Sequence, residues 1–164
     1  MKIRFLCMVA AVALLGACSS DDNATKAGAT TAAPAAPTAP AKAGVVPGSQ
    51  ADFVANVGDR VFFDFDKYSL KPEAKDQLAK WVAFLKKYPS DQLVVEGHAD
   101  ERGTREYNLA LGERRANSIK DYLVSQGVQA TRLKVISYGK ERPAVLGSNE
   151  AAWAQNRRGV GVVQ

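Results

Sequence analysis

The chain has 164 residues, enough for one compact domain and a long tail, with 22 Lys+Arg against 17 Asp+Glu and a formal charge of +5. With the two basic residues of the extreme N-terminus, Lys2 and Arg4, set aside, the excess falls to +3. That mild balance suits an anionic wall or an acidic protein and gives no reason to expect a nucleic acid as partner. Both cysteines, Cys7 and Cys18, lie near the N-terminus, and there is one histidine. A disulfide framework or a thiolate metal site is thereby excluded from the rest of the chain.

Residues 1–17 read as an export signal. Lys2 and Arg4 make a positive start, and the apolar run at 5–15 is too short to span a bilayer as a mature helix. The run ends in Leu15-Gly16-Ala17-Cys18, which resembles the lipobox of bacterial lipoproteins. The resemblance implies cleavage before Cys18, a diacylglycerol on its thiol and acylation of the new amino terminus. Three acyl chains anchor stably where one does not. Ser19, where an aspartate tends to retain such proteins at the inner membrane, is compatible with transfer to the outer one. Beyond this covalent lipid no cofactor is expected. Residues 18–50, which begin with the lipidated cysteine, are rich in Ala, Thr, Pro, Gly and Ser and read as a disordered tether. It spans roughly 30 Å as a coil and approaches ~100 Å when extended.

Residues 51–164 are expected to fold as one domain. A strand is predicted at 61–65, where Val61, Phe62, Phe63 and Phe65 give high β propensity. A helix follows, with Ser69 as candidate cap and Pro72 in its first turn. Ala74, Leu78, Trp81, Val82 and Leu85 have amphipathic spacing, so Trp81 is expected in the core rather than as a sugar platform. A second strand at 92–96 breaks at Gly97. A second helix spans about 107–125 and ends at Gln126-Gly127 in the manner of a glycine cap. A third strand is predicted at 133–138, a loop at 139–149, a helical turn at 150–155 and a last strand at 159–163, which Gly159 and Gly161 weaken. The order β-α-β-α-β-β implies a two-layer α/β domain with a mixed sheet. Helices long enough to cross over allow parallel neighbours, and the last connection is too short for one.

The second helix carries an anomaly. At 100° per residue, Leu111, Ile119, Tyr122 and Leu123 share one face, and Glu113, Arg114, Asn117, Lys120 and Asp121 the other. Asn108 and Arg115 fall on the apolar face. A guanidinium aimed at a core keeps its charge and must find an anion or acceptors there. Asp100, in the loop before the helix, is a candidate partner. Two readings stand: a structural ion pair holding loop to helix, or a ligand site. A structural pair would cost several kcal/mol to break; a site open to water would lose its arginine at little cost in stability.

The run Val95-Glu96-Gly97-His98-Ala99-Asp100-Glu101-Arg102-Gly103-Thr104, followed by Tyr107-Asn108 and Leu111-Gly112-Glu113-Arg114-Arg115-Ala116, resembles the signature of the OmpA-like peptidoglycan-binding domain family. Phe62-Phe63-Asp64-Phe65-Asp66, Tyr138-Gly139-Lys140-Glu141-Arg142-Pro143 and Asn156-Arg157-Arg158 extend the resemblance over about residues 59–163. It implies a four-stranded mixed sheet of order 1-4-2-3 with two main helices on one face. It also implies a ligand, the meso-diaminopimelate residue of the peptidoglycan stem. Asp100 would hold the ligand's ammonium and Arg115 its carboxylate, Asn108 and Arg157 would complete the pocket, and Phe63 and Asp64 would lie nearby. The implied role is to tie the outer membrane non-covalently to the wall, with TolB and other Tol proteins as periplasmic partners and no reaction catalysed.

Other chemistries remain as alternatives. A tethered wall hydrolase would need a carboxyl pair among Glu96, Asp100 and Glu101, but Asp100 beside a fixed arginine would have its pKa lowered, the wrong direction for a general acid. An adaptor for a periplasmic protein is the third reading. Glu96 is expected on the strand face opposite His98, which leaves His98 a structural hydrogen-bonding role. Gly97, Gly103 and Gly112 lack phosphate-loop spacing. Trp153 has no evident place.

Overall fold

The computed structural model describes residues 44–164; the expectations for the signal, Cys18 and most of the tether lie outside the described residues. A short helix α1 (Gln50–Asp52) runs on as a π-helical turn (Phe53–Val57). Then come β1 (Arg60–Phe62), α2 (Pro72–Lys87), β2 (Leu93–His98), α3 (Arg105–Ser125), β3 (Leu133–Gly139), α4 (Glu150–Asn156) and β4 (Arg158–Val163). The strands form one mixed sheet in the order β1-β4-β2-β3. β2 and β3 are parallel, joined through α3, and β4 is antiparallel to β1 and β2. This is the expected two-layer α/β fold.

Both main helices cover the same face. A Cβ on Gly159 of β4 would lie 2.2 Å from Ile119 of α3, and one on Gly161, two residues along, 3.0 Å from Trp81 of α2. These glycines therefore admit the helices; they are not simply weak points of a strand. Ala74, Leu78, Trp81, Val82 and Leu85 are all buried, as their spacing predicts. Phe53, in a segment whose pattern predicts no element, is also fully buried. Its ring meets Trp81 and Phe84 edge-on at 5.3 and 5.0 Å between centroids. Gln50 is bound to β4: its amide accepts from Val163 N at 2.6 Å.

The tightest approach at any glycine among the described residues lies beside the site. A Cβ on Gly97 would lie 1.8 Å from the carbonyl oxygen of Gly112, so α3 lies with backbone nearly against the backbone of β2. β2 does not break at Gly97. It continues to His98, with a bulge at Gly97/His98 against β3 that re-aims the strand end beside the site. Because the strand persists, residues 96 and 98 share a face: Glu96 Oε2 lies 3.6 Å from His98 Nε2, not opposite it. Two helix starts also differ from expectation. Lys71, not Ser69, is the residue before α2, extended and without a side-chain cap. Pro72 at the first helical position needs no donor partner and forces its predecessor to be extended. α3 starts two residues early because the Thr104 hydroxyl accepts from Tyr107 N at 3.2 Å.

Candidate functional site

A cavity of about 240 Å³ opens between the loop after β1, the loop after β2 and the first turns of α3. Asp100, Asn108 and Arg115 line it, together with Phe65, Asp66, Arg102 and Tyr107. Arg115 is fully buried, and its partners are backbone carbonyls. Nη1 donates to His98 O at 2.7 Å, Nε to Lys67 O at 2.8 Å and Nη2 to Asp64 O at 3.1 Å. The ring of Phe63 lies beneath the guanidinium, 5.2 Å away. Burial lowers the pKa of Arg115 to about 10, against the opposing charge of Asp100, so it is a cation at neutral pH. The predicted alternative of an Asp100–Arg115 structural pair is not what forms. The loop after β1 supplies two of the three acceptors, and Asp66 within it takes the left-handed conformation, φ 56°. Its carboxylate accepts from the Tyr107 hydroxyl.

Asp100 is buried and meets two other arginines. Arg102 Nη2 lies 2.6 Å and Arg157 Nη1 3.5 Å from its Oδ2. Burial pushes its carboxyl up, but the hydrogen bonds and charge of Arg102, with the charge of Arg157, outweigh this and hold its pKa below the ordinary value. The direction is the predicted one, from different arginines. Asn108 directs its amide nitrogen at Arg102 O (2.8 Å) and Thr104 O (3.1 Å), which pins the loop to the helix and leaves Oδ1 as the free end.

The remaining expected residues lie around the cavity rather than in its wall. Arg157 sits behind Asp100, held by Phe63 O at 3.1 Å and Glu150 Oε1 at 2.7 Å. Phe63 is a buried floor. Asp64 contributes its carbonyl to Arg115, while its carboxylate faces away, 2.5 Å from Lys71 Nζ. His98 does not hydrogen-bond through its ring: neither nitrogen has a partner, and only its carbonyl is used. Burial, then the charge of Arg158, lowers its pKa to about 4, so the ring is neutral. Among the described residues no group of three His, Cys, Asp or Glu is placed to hold a metal.

Residues 62–157 match the OmpA family. Over 161 residues, 96% of this chain and 95% of the other, the sequence is 41% identical to the peptidoglycan-associated lipoprotein of Haemophilus influenzae. The chain belongs to the OmpA family. It is also 56% identical over 117 residues to the peptidoglycan-associated lipoprotein of Agrobacterium fabrum, which covers 71% of this chain and 66% of that protein. The crystal structure of the peptidoglycan-associated lipoprotein from Burkholderia pseudomallei superposes with a TM-score of 0.63 at 43% identity, over 65% of this chain and 90% of that one.

In this OmpA-family domain, sequence reasoning passed over Arg102, Phe65, Asp66, Tyr107 and the role of Trp153. The Arg102 guanidinium lies between the rings of Phe65 and Trp153, at 3.9 and 4.0 Å. Trp153 Nε1 donates to Glu101 Oε1 at 3.0 Å. The alternation of Asp64 and Asp66 around Phe65 was the one available signal, since it places two acidic residues in the loop that faces α3.

Proposed function

We propose that the cavity holds the amino-acid end of diaminopimelate in the peptidoglycan stem, and that the protein ties membrane to wall without catalysing a reaction. The observation that carries this is an ionised carboxylate, Asp100, and a fixed guanidinium, Arg115, in the wall of one small cavity. Such a head group presents one ammonium and one carboxylate a few ångströms apart. Arg115 spends three of its five N–H groups on carbonyls, leaving one on each Nη nitrogen for the two oxygens of a carboxylate. Asp100 and Asn108 Oδ1 are acceptors for the ammonium. Arg157 keeps Asp100 ionised from behind, and Phe63 and Asp64 support Arg115 from below.

The low pKa of Asp100 argues against the hydrolase reading, which needs a carboxyl that stays protonated. Lipidation at Cys18, residence in the outer membrane with the domain in the periplasm, and partnership with TolB and other Tol proteins belong to the same proposal. They rest on the lipobox and on the family resemblance. The test is sedimentation with purified wall. Binding that free diaminopimelate competes away, with no soluble fragments released, is expected; released fragments would favour the hydrolase. Cys18→Ser should leave wall binding intact and free the protein from membranes. Retention in the membrane fraction would refute the anchor.

A further inference from the structure

The carboxylate that the proposed function assigns to the ligand's ammonium is already occupied. Arg102 grips Asp100 with two donors, Nη2 to Oδ2 at 2.6 Å and Nε to Oδ1 at 3.2 Å, and its backbone N adds a third bond to Oδ1 at 3.1 Å. Its guanidinium is held between Phe65 and Trp153, and it lines the cavity itself. The two partners differ in freedom: the Arg102 side chain is 30% exposed and that of Asp100 5%. The anion is fixed in the wall, and the cation, though packed against two rings, stands nearer the solvent. Arg115, by contrast, is buried and tied to three carbonyls.

We propose that Arg102 is a specificity-determining latch. In the empty site it stands in for the ligand's ammonium, and it gives up Asp100 only to a ligand that brings a cation of its own. The inference rests on the diaminopimelate reading. Competition from Arg102 lowers the apparent affinity for any cationic head group, since the binding-competent arrangement is the fraction with Arg102 displaced. In return the site rejects ligands that carry a carboxylate alone. Pimelate can address Arg115 but cannot replace Arg102 on Asp100. Without Arg102, Asp100 keeps only the more distant Arg157 behind it and would repel it further.

The test is Arg102→Gln in the full-length protein, titrated with meso-diaminopimelate and with pimelate. The variant should bind diaminopimelate about two- to fivefold more tightly, the range set by removing a partly exposed competing ion pair, and bind pimelate more weakly. Opposite signs for the two compounds are the signature. Weaker binding of diaminopimelate, no change, or changes in the same direction would overturn the latch while leaving the proposed function standing. A second readout needs no variant. In the wild-type protein the Arg102 Nε–H resonance should shift and lose protection from exchange at saturating diaminopimelate, and an unchanged resonance would overturn the latch. If neither protein binds diaminopimelate, the proposed function fails and the latch falls with it.

Discussion

Arg115→Ala should destabilise the fold, although the sequence alone allowed a ligand-holding arginine to be removed at little cost. Its three N–H donors satisfy the carbonyls of Lys67, His98 and Asp64. The bond to His98 O is fully buried, and the other two lie nearer solvent. An unsatisfied buried carbonyl costs about 1–3 kcal/mol, and one that water can reach about 1 or less. Together with the lost support of the loop after β1, this comes to about 3 kcal/mol. For a domain of this size the melting temperature should fall by about 10 °C. Arg115→Lys keeps the charge but cannot reach three acceptors arranged for a planar fork, and should lose about half as much. Arg114→Ala, one residue along and on the other face, should stay within about 0.5 kcal/mol. Thermal melts by circular dichroism, with urea titrations to confirm unchanged cooperativity, measure all three. An Arg115→Ala protein that melts within a few degrees of the parent would show that these carbonyls are rehydrated at no cost, and the account of the site's rigidity would fail.

Stability should also fall with pH through His98, the single histidine of the chain. Its folded pKa, about 4, lies below the ordinary value of about 6.5. The unfolded chain therefore binds the proton first: full stability holds above about pH 6.5 and is lost progressively as pH falls towards 4, by about 3 kcal/mol. His98→Phe, which keeps a ring against Tyr138, should flatten that slope in melts between pH 7 and 4.5; an unchanged slope would place the titration elsewhere. Gly97→Ala should cost about 3 kcal/mol or more, because the new Cβ meets the Gly112 backbone and no side-chain rotation relieves it. Gly127→Ala has open space around it and pays only for its positive φ of 92°, about 1 kcal/mol; equal urea midpoints for the two variants would contradict the close approach of α3 to β2.

What could be read from the sequence follows from how each feature is encoded. Helical spacing exposed Asn108 and Arg115 as polar residues on an apolar face, and the structure places both in the cavity wall. The partners of Arg115 had no signature, because they are main-chain carbonyls, two of them about fifty residues away, and any residue type can supply a carbonyl. Asp100 was visible as an anion near the helix, but its pairing with Arg102 was not: two residues apart in a loop, they obey no periodicity. Trp153 reaches Arg102 only through the tertiary fold. Glu96 was assigned to the wrong face against the two-residue period of a strand, which puts residues 96 and 98 on the same side; Gly97 read as a break, whereas its missing side chain is what lets strand and helix touch.

In the proposed function one cavity reads an ammonium and a carboxylate together, through Asp100 and Arg115. The most direct measurement compares sedimentation of the protein with two purified walls, one carrying diaminopimelate in its peptide stems and one carrying lysine, which lacks the second carboxylate. Strong binding to the first, reversed by free meso-diaminopimelate, and little to the second are expected. Equal binding to both walls, or binding to the first that free diaminopimelate leaves untouched, would contradict it.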